Sequence, residues 1–326
     1  MPGKVPVSCV ITNFNGRGLI EGAIASVLRQ SVEVAEIIVA DDASTDGSQK
    51  WLQAVAERYP QVRPVLRQAN VGVAANRDLA MREANQPFVT HFDGDDLIGP
   101  GKIESEWDAL EEREDAVAFS RIAWLHLVRP WRSSVLDPAP TVAGSAPDAV
   151  GRLVARHGPI PRDMLMSKSL YEKAGGLEHG LNLYEDWQFK LRLAAAAPTW
   201  CPTREIGTLY MQRGESLSKV RRERLAEAQA QVALSQLDML LDCLGEDRLG
   251  RMLTARFGPG LEGIVPAERR SAVLDRFPGF ADAVPAQPEA IRRRRNKLSL
   301  LSALPLIAKG TAARRAAAGL LPPWSD

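Results

Sequence analysis

Histidine and cysteine are scarce in this chain of 326 residues, which has four of the first and three of the second. Cys9, Cys201 and Cys243 lie far apart and form no C-x-x-C pair. That argues against a disulfide framework or a zinc knuckle and fits a reducing compartment. His91, His126, His157 and His179 likewise lack ligand spacing. Long apolar runs are missing too. The first, Val5 to Ile11, stops at Thr12-Asn13, so no signal peptide is read there. The run Leu298 to Ala308 is too short to span a bilayer. A cytoplasmic protein is expected. Charge of one sign is not in excess: the net charge is +1, which offers no argument for nucleic acid as a partner.

What is present is ordinary for a globular protein. Hydrophobic residues make up 45% and charged residues 25%, enough for a sizeable core in one large domain or a domain with a helical extension. The charge is unevenly placed. Between 287 and 326, four arginines at 292–295 join Lys297, Lys309, Arg314 and Arg315 against only Glu289 and Asp326, so the rest of the chain is mildly acidic.

The N-terminal half alternates between two periodicities. Val5–Ile11, Glu36–Ala40, Val62–Leu66 and Pro87–Phe92 are short apolar runs that read as buried strands, with Pro64 placing the third at a sheet edge. Between them, Ile20, Ile24, Val27 and Leu28 recur at helical spacing, as do Trp51, Leu52, Val55 and Tyr59, and Ala74 to Ala84 reads as helical. Such alternation predicts βαβ crossovers and a mostly parallel sheet. Ala116–Leu127 reads as another strand, 128–150 as a loop, and Ser167–Ala174 as a short helix stopped by Gly175-Gly176. Glu185–Ala197 reads as the next helix. From 219 to 326 strand signals vanish and Leu234, Leu237, Leu241 and Leu244 repeat at helical spacing, which predicts a helical extension.

Ligands in parallel α/β sheets bind beyond the carboxyl ends of the strands. Thr12-Asn13, Asp41-Asp42 and Asp93-Gly94-Asp95-Asp96 all fall there. The last cluster is the sharpest. Three carboxylates within four residues repel one another unless a cation sits among them, and a hard divalent ion such as Mg²⁺ or Mn²⁺ takes oxygen ligands. A solvated acidic turn is the alternative. Asp41-Asp42 can accept hydrogen bonds from a base or ribose, or can merely cap a turn. Thr12, Asn13 and Phe14 offer hydrogen bonds and a stacking face, or form an ordinary turn. Glu185-Asp186-Trp187 opens a helix, where acidic residues answer the helix dipole by default.

Five pieces occur in a particular order: VSCVITNFN, ADDASTDGS, Asn70-Val71-Gly72 with Asn76, DGDD, and GGLEHGLNLYEDWQFKLRL. Together they resemble the inverting glycosyltransferases of family 2, over roughly residues 5–218. The resemblance implies a GT-A fold, a Rossmann-like, mostly parallel α/β sheet flanked by helices. It implies a nucleotide-sugar half at about 1–98 and an acceptor half at about 99–218, with 219–326 outside. It implies a nucleoside-diphosphate sugar donor, a UDP-sugar favoured, and a saccharide or lipid-linked acceptor in polysaccharide or glycolipid synthesis. Asp42 would contact the base, Phe14 would pack on it and Thr12 would lie nearby, with Asn13, Asp41, Asn70, Asn76 and Asp93 also on the donor side. Asp93, Asp95 and Asp96 would hold Mn²⁺ or Mg²⁺. Asp186 would be the catalytic base, and Glu185 and Trp187 would shape the acceptor side.

There are two departures. Relatives often read R-N where this chain has Ala75-Asn76, with Arg77 one place later. Arg213 stands where relatives can carry a histidine ligand; arginine cannot ligate a metal but can contact a diphosphate. A nucleotide-binding scaffold with a decayed site and a sugar nucleotidyltransferase are the rival readings. Against them stand intact Asp93, Asp95 and Asp186 and the lack of a Gly-rich, basic signature after the first strand. The basic, apolar tail at 291–315 predicts peripheral contact with an anionic membrane face, or else a solvated cap.

Overall fold

A computed structural model describes residues 3–126, 132–155, 158–181, 183–196, 198–212, 222–257 and 296–297. The first elements are β1 (Lys4–Asn13), α1 (Arg17–Leu28), β2 (Glu33–Asp41), α2 (Ser48–Arg58), β3 (Val62–Leu66), α3 (Val73–Arg82) and β4 (Phe88–Asp93). This is the alternation the sequence predicts. Then follow β5 (Leu97–Ile98), α4 (Lys102–Leu110), β6 (Ala116–His126), β7 (Ser134–Leu136), α5 (Ala139–Val142) and α6 (Ala146–Ala155). After these come β8 (Leu165–Ser167), α7 (Lys168–Lys173), α8 (Glu185–Ala195) and β9 (Thr199–Gln212). Last are α9 (Arg222–Ser235), α10 (Leu237–Leu244), α11 (Glu246–Phe257) and the short β10 (Asn296–Lys297).

The sheet runs β10-β7-β6-β8-β4-β1-β2-β3. Its first half, β3-β2-β1-β4, is parallel throughout. Pro64 sits on the edge strand β3, where its missing N–H leaves no ladder bond unmade. Beyond β4 the sheet continues through β8, antiparallel to both β4 and β6. β9 lies parallel to β6 and turns back onto β5, which closes the sheet beside the acidic turn.

β1 reads as a continuous apolar run because both of its faces are covered. Val10 joins Ile38, Val89, Val117 and the helices α3, α6 and α8 in one core. Cys9 and Ile11 point the other way, against Ile20, Ile24, Trp51 and Leu52 of α1 and α2. The C-terminal helices belong to the first core: Leu240, Leu249 and Leu253 are buried in it. Each such leucine is worth about 1.5–3 kcal/mol of burial. Residues of α9–α11 thus pack into the same core as α3, α6 and α8.

Two expectations need correction, and one strand went unread. The stretch 128–150 is not all loop: it holds β7, α5 and the start of α6, whose Ala149, Val150, Leu153 and Val154 face the core. β9 goes unread in the sequence because Pro202, Arg204 and Glu205 interrupt its alternation. The extension is not purely helical, since Asn296–Lys297 pair antiparallel with β7.

Candidate active site

Strand register assembles the site. Thr12 is opposite Asp93 across β1 and β4, and Asn13 is opposite Asp41 across β1 and β2. Gly94 follows at once. Its N–H donates to Thr12 O at 2.9 Å. A side chain there would meet Thr12 O at 2.6 Å and Ile20 at 2.9 Å. Close approach to β1, rather than a left-handed turn, is what excludes a side chain at Gly94.

On the β2 side the polar residues mostly hold the frame. Asp41 is buried; its carboxylate accepts from Asn13 Nδ2 (2.7 Å), Ser44 N (2.9 Å) and Gln49 Nε2 (2.9 Å). Asn76 is buried as well, donating to Ala40 O (2.9 Å) and accepting from Arg67 Nε (3.3 Å). The hydrogen-bonding groups of Asp41, Asn13 and Asn76, expected among donor contacts, are turned on neighbouring side chains and on the backbone. Asp42 clamps the loop after β3, accepting from Val71 N (2.8 Å) and Gly72 N (3.0 Å), while Asn70 Nδ2 donates to Asp42 O (3.3 Å). Phe14 and Val71, at 55% and 46% exposure, are the exposed large apolar side chains among the described residues. Phe14 follows Asn13, whose carbonyl accepts from Asp42 N at 2.9 Å.

The acidic turn is the centre of charge. Asp93, Asp95 and Asp96 present carboxylate oxygens all within 4.8 Å of one another. Arg77, with its side chain 5% exposed, donates through Nη2 to Asp93 and through Nη1 to Glu185 Oε1 at 3.3 Å. Arg162 Nη2 reaches Asp93 Oδ2 at 3.2 Å and Asp96 Oδ2 at 3.3 Å. Thr12 Oγ1 donates to Asp93 Oδ1 at 3.3 Å, and Met211 N to Asp96 Oδ1 at 2.8 Å. Burial alone would raise the pKa of Asp93, but Arg77 and Arg162 hold it down at about 2. Asp96 is more deeply buried, and there desolvation wins and raises it well above the ordinary range.

The start of α8 faces this cluster. Tyr184 takes a left-handed φ of 65° at the N-cap, which sets the direction of the two acidic residues that follow. Glu185 turns to Arg77; burial and then its neighbour Asp186 raise its pKa. Asp186 accepts from Lys190 Nζ at 2.8 Å and keeps 45% of its side chain exposed. Burial pushes its pKa up, but Lys190 outweighs that and holds the carboxyl well below the usual range. Trp187 needs correction: it is buried in the core, its indole N–H donating to Leu153 O at 2.9 Å, so it packs behind the site and does not face an acceptor. Arg213 lies outside the described residues.

Two arginines were missed as site residues. Arg77 carried a signal: a cation among Ala74, Ala75, Ala80 and Met81 on the buried side of α3 requires a partner carboxylate. Arg162, between Pro161 and Asp163 in an irregular segment, carried none.

A parallel half-sheet with an acidic turn beyond its carboxyl ends, continued by antiparallel strands, defines the class of GT-A folds. Staphylococcus aureus TarS (residues 1–349, in complex with UDP-GlcNAc) superposes with a TM-score of 0.58 at 18% identity, covering 95% of this chain and 88% of that one. Residues 8–167 match the model of Glycosyl transferase family 2. The putative teichuronic acid biosynthesis glycosyltransferase TuaG of Bacillus subtilis is 33% identical over 117 residues, 36% of this chain and 46% of TuaG. The succinoglycan biosynthesis protein ExoU of Rhizobium meliloti is 27% identical over 226 residues, 65% of this chain and 64% of ExoU. The chain thus spans between about a third and two thirds of the length of the curated relatives it matches. The matched family segment holds Arg77, the DGDD turn and Arg162, while Glu185-Asp186 lies beyond it.

The donor set of the acidic turn fits a hard divalent cation: three carboxylates, all oxygen, within mutual reach.

Proposed function

We propose that the chain is an inverting glycosyltransferase that moves a sugar from a nucleoside-diphosphate donor to an acceptor hydroxyl in one displacement. The observation that carries this reading is the link Asp93–Arg77–Glu185, which ties the acidic turn of β4 to the start of α8. Donor-side carboxylates and a separate, half-exposed carboxylate at Asp186 are thereby held in one rigid frame. Asp186 takes the proton of the acceptor hydroxyl as its oxygen bonds to the anomeric carbon, and the nucleoside diphosphate leaves with the old bonding pair. Asp93, Asp95 and Asp96 would hold Mn²⁺ or Mg²⁺, which when bound offsets the charge on the diphosphate. Phe14 packs on the base. Asp42, which has lone pairs left beside its two amide partners, contacts the base with Thr12 nearby.

TarS structures with UDP-GlcNAc and with UDP support a uridine donor. Relatives named for teichuronic acid, succinoglycan and cholesterol galactosylation support an acceptor in surface polysaccharide or glycolipid synthesis. No described helix is long and apolar enough to cross a membrane, and the basic tail 291–315 suits peripheral contact with a lipid-linked acceptor. The test is a panel of UDP-, GDP-, dTDP- and ADP-sugars incubated with the full chain, Mn²⁺ and saccharide acceptors, reading nucleotide release, alongside calorimetric titration with UDP. Release from one donor class supports the reading. No release from any donor, together with no UDP binding, would sink it.

A further inference from the structure

Arg162 is held by an unusual amount of buried structure for an arginine in an irregular segment. Its guanidinium carbon lies 4.1 Å from the Tyr210 ring centroid on β9. Only 22% of its side chain is exposed. The next residue, Asp163, is buried in a left-handed conformation at φ 50°, which L side chains rarely adopt. Such a conformation persists only where its surroundings over-determine it. They do so here. Asp163 O accepts from Lys102 Nζ at 2.5 Å and from Thr90 Oγ1 at 3.1 Å. Asp163 Oδ2 accepts from Thr208 Oγ1 at 2.7 Å. Lys102 is itself buried and paired with buried Glu106 at 2.6 Å, and Ser120 Oγ donates to the same Glu106 at 2.7 Å. Helix α4 and strands β4, β6 and β9 thus converge on one strained residue, whose effect is to aim its neighbour's guanidinium at the acidic turn.

The target of that aim is specific. One nitrogen, Nη2, bridges Asp93 Oδ2 and Asp96 Oδ2, two of the carboxylates that a divalent ion would use. A guanidinium and a divalent ion bound to the same oxygens compete for lone pairs and repel each other. We infer that Arg162 is a resident cation of the acidic turn, which suppresses divalent-metal binding by the free protein by competing for Asp93 and Asp96. It is a positioning residue: on the side away from Arg77, it holds the Asp93 and Asp96 side chains together while no metal ion is present. The role rests on reading the turn as a cation site, as proposed above.

The test uses Mn²⁺ alone, without nucleotide or sugar, and the full chain. Mn²⁺ binding is read by electron paramagnetic resonance and calorimetry for the wild type, Arg162→Gln, Arg162→Met and, as a distant charge control, exposed Arg29→Gln. Melting curves and circular dichroism establish that each variant is folded. Arg162→Met keeps the apolar stem against Tyr210, so it carries the test if the glutamine variant does not fold. Either neutral variant should bind Mn²⁺ roughly tenfold or more tightly, the scale on which one opposite charge at contact distance alters a carboxylate's affinity for a proton. Arg29→Gln should match the wild type. Unchanged or weaker affinity in the folded Arg162 variants overturns the inference. So does an equal gain in Arg29→Gln, or no Mn²⁺ binding by any form. Failure here leaves transferase activity standing if donor turnover is seen. Absence of turnover with tighter Mn²⁺ binding by the variants removes the proposed function alone.

Discussion

Arg77 Nη1 lies 3.3 Å from Glu185 Oε1, joining α3 to the first turn of α8 across more than a hundred residues of chain. Its other nitrogen holds Asp93, so this one buried guanidinium is the countercharge for two acidic groups. Arg77→Gln removes that charge and leaves Asp93 and Glu185 facing each other. Breaking a buried pair costs about 3–5 kcal/mol, and the lower end applies because Asp93 is partly exposed. Urea denaturation should show the loss as a lower midpoint with an unchanged slope. A loss below about 1 kcal/mol, typical of a surface pair, would contradict the buried link.

Asp78 should contribute to acid sensitivity. Burial works to raise its pKa, but donors from Arg82, Tyr171, His179 and Leu177 N outweigh it and hold the group below the ordinary value. A carboxyl depressed in the fold adds stability that is fully present above its unfolded value, about 3.9, and is lost as pH falls through the folded one. Asp78→Asn should therefore be less stable than the wild type at pH 7. Its melting temperature should also fall less steeply on acidification below about pH 4. Parallel melting curves for the two proteins down to acid would contradict this.

Much of this frame could be read from the residues. Buried runs such as Glu36–Ala40 end in polar clusters because a strand covered on both faces has only its end free for polar side chains, and Asp41, Asp42 and Asp93 fall there. What was not legible depends on partners distant in the chain. Trp187 looks available beside Asp186 until Leu153 O is found to take its N–H. Asn76 looks like a donor contact until Ala40 O is found to hold it. Arg162 enters the site only through the strained Asp163 and the buried Lys102, and no local pattern encodes that convergence.

Chelation should test the cation role of the turn directly. Excess EDTA is expected to suppress donor turnover, and Asp95→Asn to abolish the Mn²⁺ dependence of UDP binding. The fold should survive, since Asp95 is exposed while buried Asp96 carries the bond from Met211 N. Turnover indifferent to EDTA would remove the metal from the mechanism and leave arginines as the diphosphate's partners.

The basic tail makes a separate prediction. Arg292-Arg293-Arg294-Arg295 with Lys297, Lys309, Arg314 and Arg315 flank Leu298, Leu300, Leu301, Leu304, Leu306 and Ile307. Each basic residue near an anionic surface contributes about 1 kcal/mol, which salt screens. The full chain should co-sediment with phosphatidylglycerol-containing vesicles at low salt and release at high salt. No sedimentation at low salt would reject membrane contact.

The base assignment is the most exposed of these expectations. An inverting displacement needs a carboxylate on the acceptor side that is not committed to a cation on the donor side, because engaged lone pairs make a poor base. Asp93 and Asp96 are engaged by arginines, and Glu185 by Arg77. Asp186 is bound on one oxygen by Lys190 and keeps nearly half of its side chain open. Lys190 holds it ionised well below the usual carboxylate range, so activity should show no acid limb from Asp186 near neutrality. Asp186→Asn should lower turnover roughly 10²–10⁴-fold, the usual share of general base catalysis, while UDP affinity hardly changes. The substitution also strips buried Lys190 of its partner, so stability will fall for a reason unrelated to chemistry. Asp186→Asn combined with Lys190→Met separates the two effects: it should recover much of the lost stability and none of the turnover. Near-normal turnover in folded Asp186→Asn would reject the assignment and turn attention to Glu185.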